Sequence, residues 1–502
     1  MPAMRYLAVL DDPVISTGLD AIRAELGIVE AFDADASHEA EVAARRGPVL
    51  PPGVDDDRDW ADRRDLELIA IDPPGSRDLD QAYTAERTAD GYRVWYAIAD
   101  VAAFVHPGGA LEAASLERGV TLYAPDRRAS LHPVAINEHA ASLLPGADRP
   151  SCLWRIDIDD TGELVDAHLE RAIVRVRQAM SYRDAQAEID GPDARDSLAL
   201  LRTIGSLRQD LEAARGAVSL TLPSQEIVAT DGGHRLVYDQ TLPVEGWNAQ
   251  ISLLTGIAAA QIMVAAGVGL LRTLPPPDDD TVAELRRTAR GLRVDWPTDE
   301  PYAERIRRLD PEAGAEVALA VRAARLLRGA GYVAFTSADE IPDQRDHSAI
   351  ASTYAHVTAP LRRVCDRYTN EVLMALCAGT TPPAWAVDTL TELPSIMGRA
   401  RNREGSLDRT MVDYIESVVL ADALGEHFDA TVVNHRHRGD DLQAVIQLAE
   451  PAVISTLSPA PPLGTTLQVR LVEVDPARRL VRFESAAALG SDPAFPLSHG
   501  EG

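Results

Sequence analysis

Asp72, Asp78 and Asp80, crowded into one short stretch, offer the clearest chemistry in this chain. They sit where a mostly apolar run, Leu66, Leu68, Ile69, Ala70 and Ile71, reads as a buried strand that Pro73-Pro74-Gly75 breaks into a turn. Carboxylates at a strand end and in the loop after it can converge on one point. A hard cation, Mg²⁺ or Mn²⁺, relieves their repulsion most simply. A polar surface turn whose acids accept from local amides fits the same residues.

The second candidate is YAHVTAPLRR, Tyr354 to Arg363, which joins a hydroxyl, a Pro turn and the pair Arg362 and Arg363, with Arg367 about one helical turn on. Arginine makes bidentate phosphate contacts and offsets charge in a phosphoryl transition state. Taken alone, such a cluster is more often a helix N-terminus with solvated arginines. Arg399, Arg401, Arg403 and Arg409 form another place to hold a phosphate backbone, or a solvated helix face. Tyr123, in GVTLYAPDR, is placed either to stack on a base or to pack on its own loop. His435 and His437 read as surface residues. There is no His-Glu-x-x-His zinc motif and no Gly-x-Ser-x-Gly elbow.

These residues sit in a chain of 502 residues with a formal charge of −29 and 49 basic residues, every one of them arginine. Such an acidic chain does not bind nucleic acid through bulk electrostatics, so any nucleic-acid site needs a local basic lining. Without lysine there is no P-loop lysine and no Schiff base. Cys152, Cys365 and Cys377 have neither paired nor metal-like spacing, and no signal-peptide pattern opens the chain. Reduced thiols in a cytoplasmic protein are therefore expected. The most apolar segment, Ile251 to Leu271, reads as a buried helix and not as a membrane span.

The elements that must position the acids follow in order. Candidate helices near Thr17 to Leu26 and Ser37 to Arg46 form a small acidic extension, and Gly47 to Asp59 reads as a linker. From Trp60 to about Val176 the chain is strand-rich, with Tyr92 to Val101 the strongest strand and Cys152 to Ile158 and Ala172 to Val176 behind it. Helical periodicity takes over from Asp184 and persists to about Gly425. Four short strands, Phe428 to Val433, Leu442 to Leu448, Thr466 to Glu473 and Leu480 to Phe483, then read as a small β-barrel.

Taken together, IDPPGSRDLDQA, YAIADVAAFVHPGGALEAASLERGVTLYAPDR, RIDIDDTGELVDAHLERAIVRVRQAMSY and YAHVTAPLRR closely resemble, in order and spacing, the catalytic domain of the RNase II/RNase R (RNB) family of exoribonucleases. The resemblance runs from about Leu66 to about Leu420. It implies an α+β chain: an extension at 1–60, an RNB-type catalytic domain with a mixed sheet and surrounding helices at 61–422, an OB-fold RNA-binding barrel at 423–488 and a flexible tail at 489–502. It implies Mg²⁺-dependent hydrolysis of single-stranded RNA from the 3′ end to nucleoside 5′-monophosphates, by a monomer with no partner protein and no membrane. By motif position, Asp72, Asp78, Asp80 and Gln81 fall on the four metal-site residues, with Asp80 the most sensitive. Arg362 falls on the arginine at the scissile phosphate, with Arg363 beside it. Tyr123 and Tyr182 fall on tyrosines near the terminal nucleotide and the ribose.

Two departures stand out. The fourth acid of the family is Gln81 here, one negative charge fewer, so the expectation is that at least one of two metals binds more weakly. The roughly 60 residues before the catalytic stretch are too few and too helical for the paired cold-shock barrels usual in the family. Two rival readings follow: an RNB-fold RNA-binding or regulatory protein that has lost its chemistry at Gln81, and a metal-dependent hydrolase of a smaller phosphate compound.

Overall fold

The structure is a computed structural model that describes residues 4–6, 13–54, 60–218, 220, 224–230, 233–239, 241–310, 313–327, 329–439, 441–448 and 450–486. The expected tail at 489–502 and part of the expected linker lie outside the described residues.

The acid-bearing region is built on a seven-stranded mixed sheet. Its spatial order is Gln178–Met180, Ile69–Ile71, Gln81–Arg87, Gly91–Ala99, Asp148–Asp159, Leu164–Arg175 and Ala61–Asp62. The strand Gly91–Ala99 shows why the sheet has two unlike faces. Tyr92, Val94, Tyr96 and Ile98 point to one side, where with Trp154 and Ile156 they meet the helices Asp196–Ala214 and Pro243–Ala266. Ala97 and Ala99 point to the other, and these small side chains let Ala40 and Ala43 of the helix Ala34–Arg46 approach closely. At this end of the strand, bulky residues on one face and alanines on the other decide how closely each helix approaches.

The apolar segment is shorter as a helix than its composition implied. The helix Pro243–Ala266 stops at Gly267, which takes a left-handed conformation (φ 75°), and Gly269–Thr273 is a strand paired with Gly331–Phe335. The helix is long and apolar enough to cross a bilayer, yet Ile251, Leu254, Ala258, Ala259 and Met263 are buried in the core of this fold.

The terminal barrel is closed by five strands, His427–Arg438, Asp441–Leu448, Ile454–Leu457, Leu480–Ser485 and Thr466–Asp475. Ile454–Leu457 escaped the sequence reading because four residues between prolines carry too short an alternation to register. Nor are the N-terminal helices a body of their own. Ile15, Leu19 and Ile22 of the helix Pro13–Glu25 enter one core with Ile415 and Met411 of the long helix Leu393–Val419 and with Val432 and Phe483 of the barrel. Arg479 of the barrel pairs with Glu25. The strand Met4–Tyr6 runs parallel to Ser224–Thr230.

This shared core yields a signed prediction at Gly18. In an exposed helix interior, Gly to Ala stabilises by about 1 kcal/mol, but a Cβ on Gly18 would stand 2.0 Å from the Tyr414 ring. Gly18→Ala is therefore expected to lower stability by about 1–3 kcal/mol, an overpacking effect. Thermal or denaturant melting checks it, and a variant as stable as the parent or more so would refute the contact.

Candidate active site

Sheet topology places the acids at one end of the sheet. The strand Ile69–Ile71 runs antiparallel to Gln81–Arg87, with Ile69 opposite Tyr83, so the loop between them returns Asp80 beside the strand end that carries Asp72. Gln178–Met180 runs parallel to Ile69–Ile71, and Asp72 N–H donates to the Met180 carbonyl at 3.1 Å. Tyr182, which opens the helix Tyr182–Asp190, is thereby delivered to the same end. Its hydroxyl is hydrogen-bonded to the Asn248 side chain, and burial pushes it up to about 12. The acid loop is held from below by Ser142, whose hydroxyl accepts from Leu79 N–H at 2.9 Å and donates to the Arg77 carbonyl at 2.7 Å.

The segment Thr358 to Arg363 comes in from the far part of the chain. Leu361 N–H donates to Asp80 Oδ1 at 2.8 Å, and Arg362 Nε lies 3.4 Å from Asp80 Oδ2. The Asp80 side chain is buried while that of Arg362 is 48% exposed, so the guanidinium reaches over the carboxylate from the open side. The segment is braced in turn. Asp366 Oδ2 accepts from Ala359 N–H at 2.7 Å, Thr121 N–H donates to the Arg362 carbonyl, and Val364 N–H donates to Gly119.

Burial pushes the Asp80 carboxyl up to about 8, against the pull of Arg362 and Leu361 N–H and with a further push from the charge of Asp78. Burial likewise pushes Asp72 up to about 7, again opposed by Arg362 and assisted by Asp78. Two acids this short of compensation mark a place that lacks positive charge. Their all-oxygen donor set fits one hard cation, since Mg²⁺ is commonly held by one or two carboxylates plus substrate phosphate.

Three of the expected residues are engaged with other side chains or carbonyls in this structure. Asp78 does not join the other two as a ready third ligand: Arg128 Nη1 donates to its Oδ1 at 2.6 Å, and the Tyr123 hydroxyl stands 3.5 Å from its Oδ2. Among the described residues, no three His, Cys, Asp or Glu side chains are grouped so as to hold a metal ion. The Gln81 amide is engaged at both ends. Its amide nitrogen donates to the Thr358 carbonyl at 2.5 Å and its amide oxygen accepts from the Tyr96 hydroxyl at 2.9 Å, so it ties the sheet to the Thr358 segment. Arg363 turns inward to Asp366 at 2.8 Å and anchors the loop instead of facing RNA.

Tyr123 is 39% exposed, with its ring at the edge of the acid end. Its partner across the short ladder is Arg128, so Arg128, Tyr96, Ser142 and Asp366 are the residues that sequence reasoning missed. Arg128 carried a usable signal, since Ala-Pro-Asp after Tyr123 turns the chain back on itself. The second arginine run is largely spent on other contacts: Arg401 donates to the Ala330 carbonyl, and Arg403 to the carbonyls of Glu117 and Arg118. Arg401 and Arg409 do line a surface cleft of about 510 Å³, but Glu404 and Asp408 share it.

Comparison with known proteins places this geometry. The model of the RNB domain matches residues 61–379, and that of the RNase II-type exonuclease C-terminal S1 domain matches residues 426–486. The exosome complex exonuclease dis3 of Schizosaccharomyces pombe is 29% identical over 68% of this chain and 36% of its own length. Ribonuclease R of Escherichia coli is 24% identical over 74% of this chain and 48% of its own. The chain thus spans less than half the length of these relatives. Among solved structures, the apo form of Mycoplasma genitalium RNase R superposes with a TM-score of 0.80 at 18% identity, covering 95% of this chain and 78% of that one. Yeast Ssd1, a pseudonuclease, superposes with a TM-score of 0.67 at 15% identity over 93% of this chain and 59% of its own.

The raised carboxyls set the pH response of the metal-free chain. A folded pKa above the unfolded value means that the fold holds a proton the unfolded chain has already released, so this contribution is full below about 4 and lost as pH climbs to about 8. Denaturant melts in EDTA are expected to show the parent losing stability relative to Asp80→Asn as pH rises across that window, the neutral histidines His132 and His347 contributing in the opposite direction to both chains alike. Added Mg²⁺ should restore stability most at the alkaline end. Parallel curves for parent and variant would contradict this electrostatic account.

Proposed function

The chain belongs to the RNB family, and from that premise we propose that it is a 3′→5′ exoribonuclease that hydrolyses single-stranded RNA to nucleoside 5′-monophosphates with Mg²⁺, or Mn²⁺ in its place. The observation that carries the reading is the junction at Asp80. A buried carboxylate, a main-chain N–H and a half-exposed guanidinium meet at the one end of the sheet where Tyr123 and Tyr182 also stand.

In this reading Arg362, whose guanidinium is open to the site, contacts the non-bridging oxygens of the last phosphodiester and offsets charge as the bond to the leaving 3′ oxygen lengthens. Asp72 and Asp80 hold the cation, which when bound supplies Lewis-acid stabilisation of the phosphoryl oxygens and a more acidic attacking water. Tyr123 offers its exposed ring to the terminal base. Asp80 and Arg362 are fixed before substrate arrives, because the loop that carries Leu361 is already bonded at both ends. The barrel adds a second surface for the strand. Cys152, Cys365 and Cys377 are free, in keeping with a cytoplasmic role.

A second reading, an RNA-binding protein without hydrolysis, is favoured by one observation: the residue in the fourth acid position is neutral and engaged with Tyr96 and Thr358. A time course on 5′-labelled single-stranded RNA decides between them. Shortening from the 3′ end that needs Mg²⁺ or Mn²⁺ and falls at least about 100-fold in both Asp80→Asn and Arg362→Ala is the expected result, the size of losing a preorganised charge at a phosphoryl site. Activity within about threefold of the parent in Asp80→Asn would overturn the assignment. RNA retained but uncut by the parent chain would establish the binding reading.

A further inference from the structure

Resting on the exoribonuclease reading, we propose that this site takes one divalent cation, held by Asp72 and Asp80, and that the guanidinium of Arg128 stands where a second cation would otherwise balance Asp78.

The two ends of the acid cluster are served differently. The Asp78 side chain is 9% exposed, and its Oδ1 accepts from Arg128 Nη1 at 2.6 Å. Arg128 is not a loose side chain that a metal would brush aside. Its backbone is fixed opposite Tyr123 in the two-residue ladder, and its other terminal nitrogen donates to Glu138 Oε1 at 2.8 Å. Glu138 has Arg77 as a further counter-ion at 3.5 Å, so Arg128 remains available to Asp78. Gln81 adds no charge, and its amide is held at both ends, by the Thr358 carbonyl and the Tyr96 hydroxyl. What remains is Asp72, partly buried, and Asp80, buried, with the Arg362 guanidinium 3.4 Å from Asp80 Oδ2.

Charge arithmetic leads to the same place. Three carboxylates against Arg128 and Arg362 leave one formal negative charge, and one divalent ion turns this to one positive, matched to a single phosphodiester. A second divalent ion would leave three positive charges in a largely buried site, with no acid left to share them. An arginine is a suitable stand-in because its planar fork meets a carboxylate with directed N–H groups and stays charged at every working pH.

The test is a Mn²⁺ titration of the full chain, stripped with EDTA and exchanged into buffer above pH 8, with free ion counted by electron paramagnetic resonance and folding verified by circular dichroism. The native chain is expected to bind one ion. Asp80→Asn and Asp72→Asn are expected to weaken it by more than tenfold, and Asp78→Asn by less than threefold. Arg128→Met is expected to raise the count above one, and Arg128→Lys, which keeps the charge, to hold it at one. Two ions on the native chain, or a loss in Asp78→Asn as complete as in Asp80→Asn, would overturn the proposal. So would a count unchanged in Arg128→Met. Cleavage of labelled RNA measured alongside separates this from the functional reading. One bound ion with uncut RNA rejects the exoribonuclease and leaves the stoichiometry standing, whereas two ions with shortening RNA does the reverse.

Discussion

The whole acid-bearing region depends on keeping a buried carboxylate, Asp80, under a loop that lies 281 residues further along the chain. An ionised carboxylate loses most of its hydration on burial and needs directed partners in return. The chain supplies two, a main-chain N–H and a guanidinium, both from one short turn. That requirement explains much of the surrounding architecture. Asp366 fixes the start of the turn through Ala359, the strand pair around Tyr123 fixes its end through Thr121, and Ser142 fixes the acid loop from the opposite side. Each brace removes a freedom that the Asp80 contacts could not offset alone.

Behind this junction lies a second layer of paired charge. Arg171 is buried between Asp100 and Glu371, and Arg367 is buried against Glu112 and the Tyr368 hydroxyl. Glu371, Arg367 and Tyr368 share the helix Val364–Ala378, which follows directly from the loop carrying Arg362. Removing one partner of such a pair strands the other in a medium that solvates it poorly, so the pairs fix the register of this helix against the sheet more than they add net stability. A chain of −29 formal charge can therefore still present arginine at its functional end. Arg171, Arg363 and Arg367 are committed to acids in the interior, whereas Arg362, also beside an acid, is half-exposed and reaches open space.

What could be read from the sequence divides along the distance over which the cause acts. The turn at Pro73-Pro74-Gly75, the strand Gly91–Ala99 and the closing barrel are set by local alternation and turn chemistry, and all were legible. The roles of neighbours at the site were not. Arg362 and Arg363 look alike in a string of letters, yet one faces the acids and the other faces Asp366, three residues on in the first helical turn, a spacing at which side chains meet. The strand at Gly269–Thr273 was read as helix because an apolar run carries no period of its own, and only the left-handed Gly267 separates the two states. Asp78 was placed among the ligands by its motif, whereas its partner Arg128 comes from a strand pair whose two-residue length gives almost no pattern.

Gln81 shows how one substitution alters two balances together. A carboxylate at this position would have no N–H to offer the Thr358 carbonyl, whereas the amide bonds to it and to the Tyr96 hydroxyl at once. The chain has given up a charge in exchange for a strut, and the strut joins the sheet to the same segment that carries Leu361 and Arg362. Loss of that negative charge would leave a site designed around two cations too positive. Arg128, already bonded to Asp78, turns the deficit into a different arrangement, in which a fixed organic cation shares the work of a bound one. Positioning and charge are thus adjusted jointly, and neither residue is intelligible from the acid motif alone.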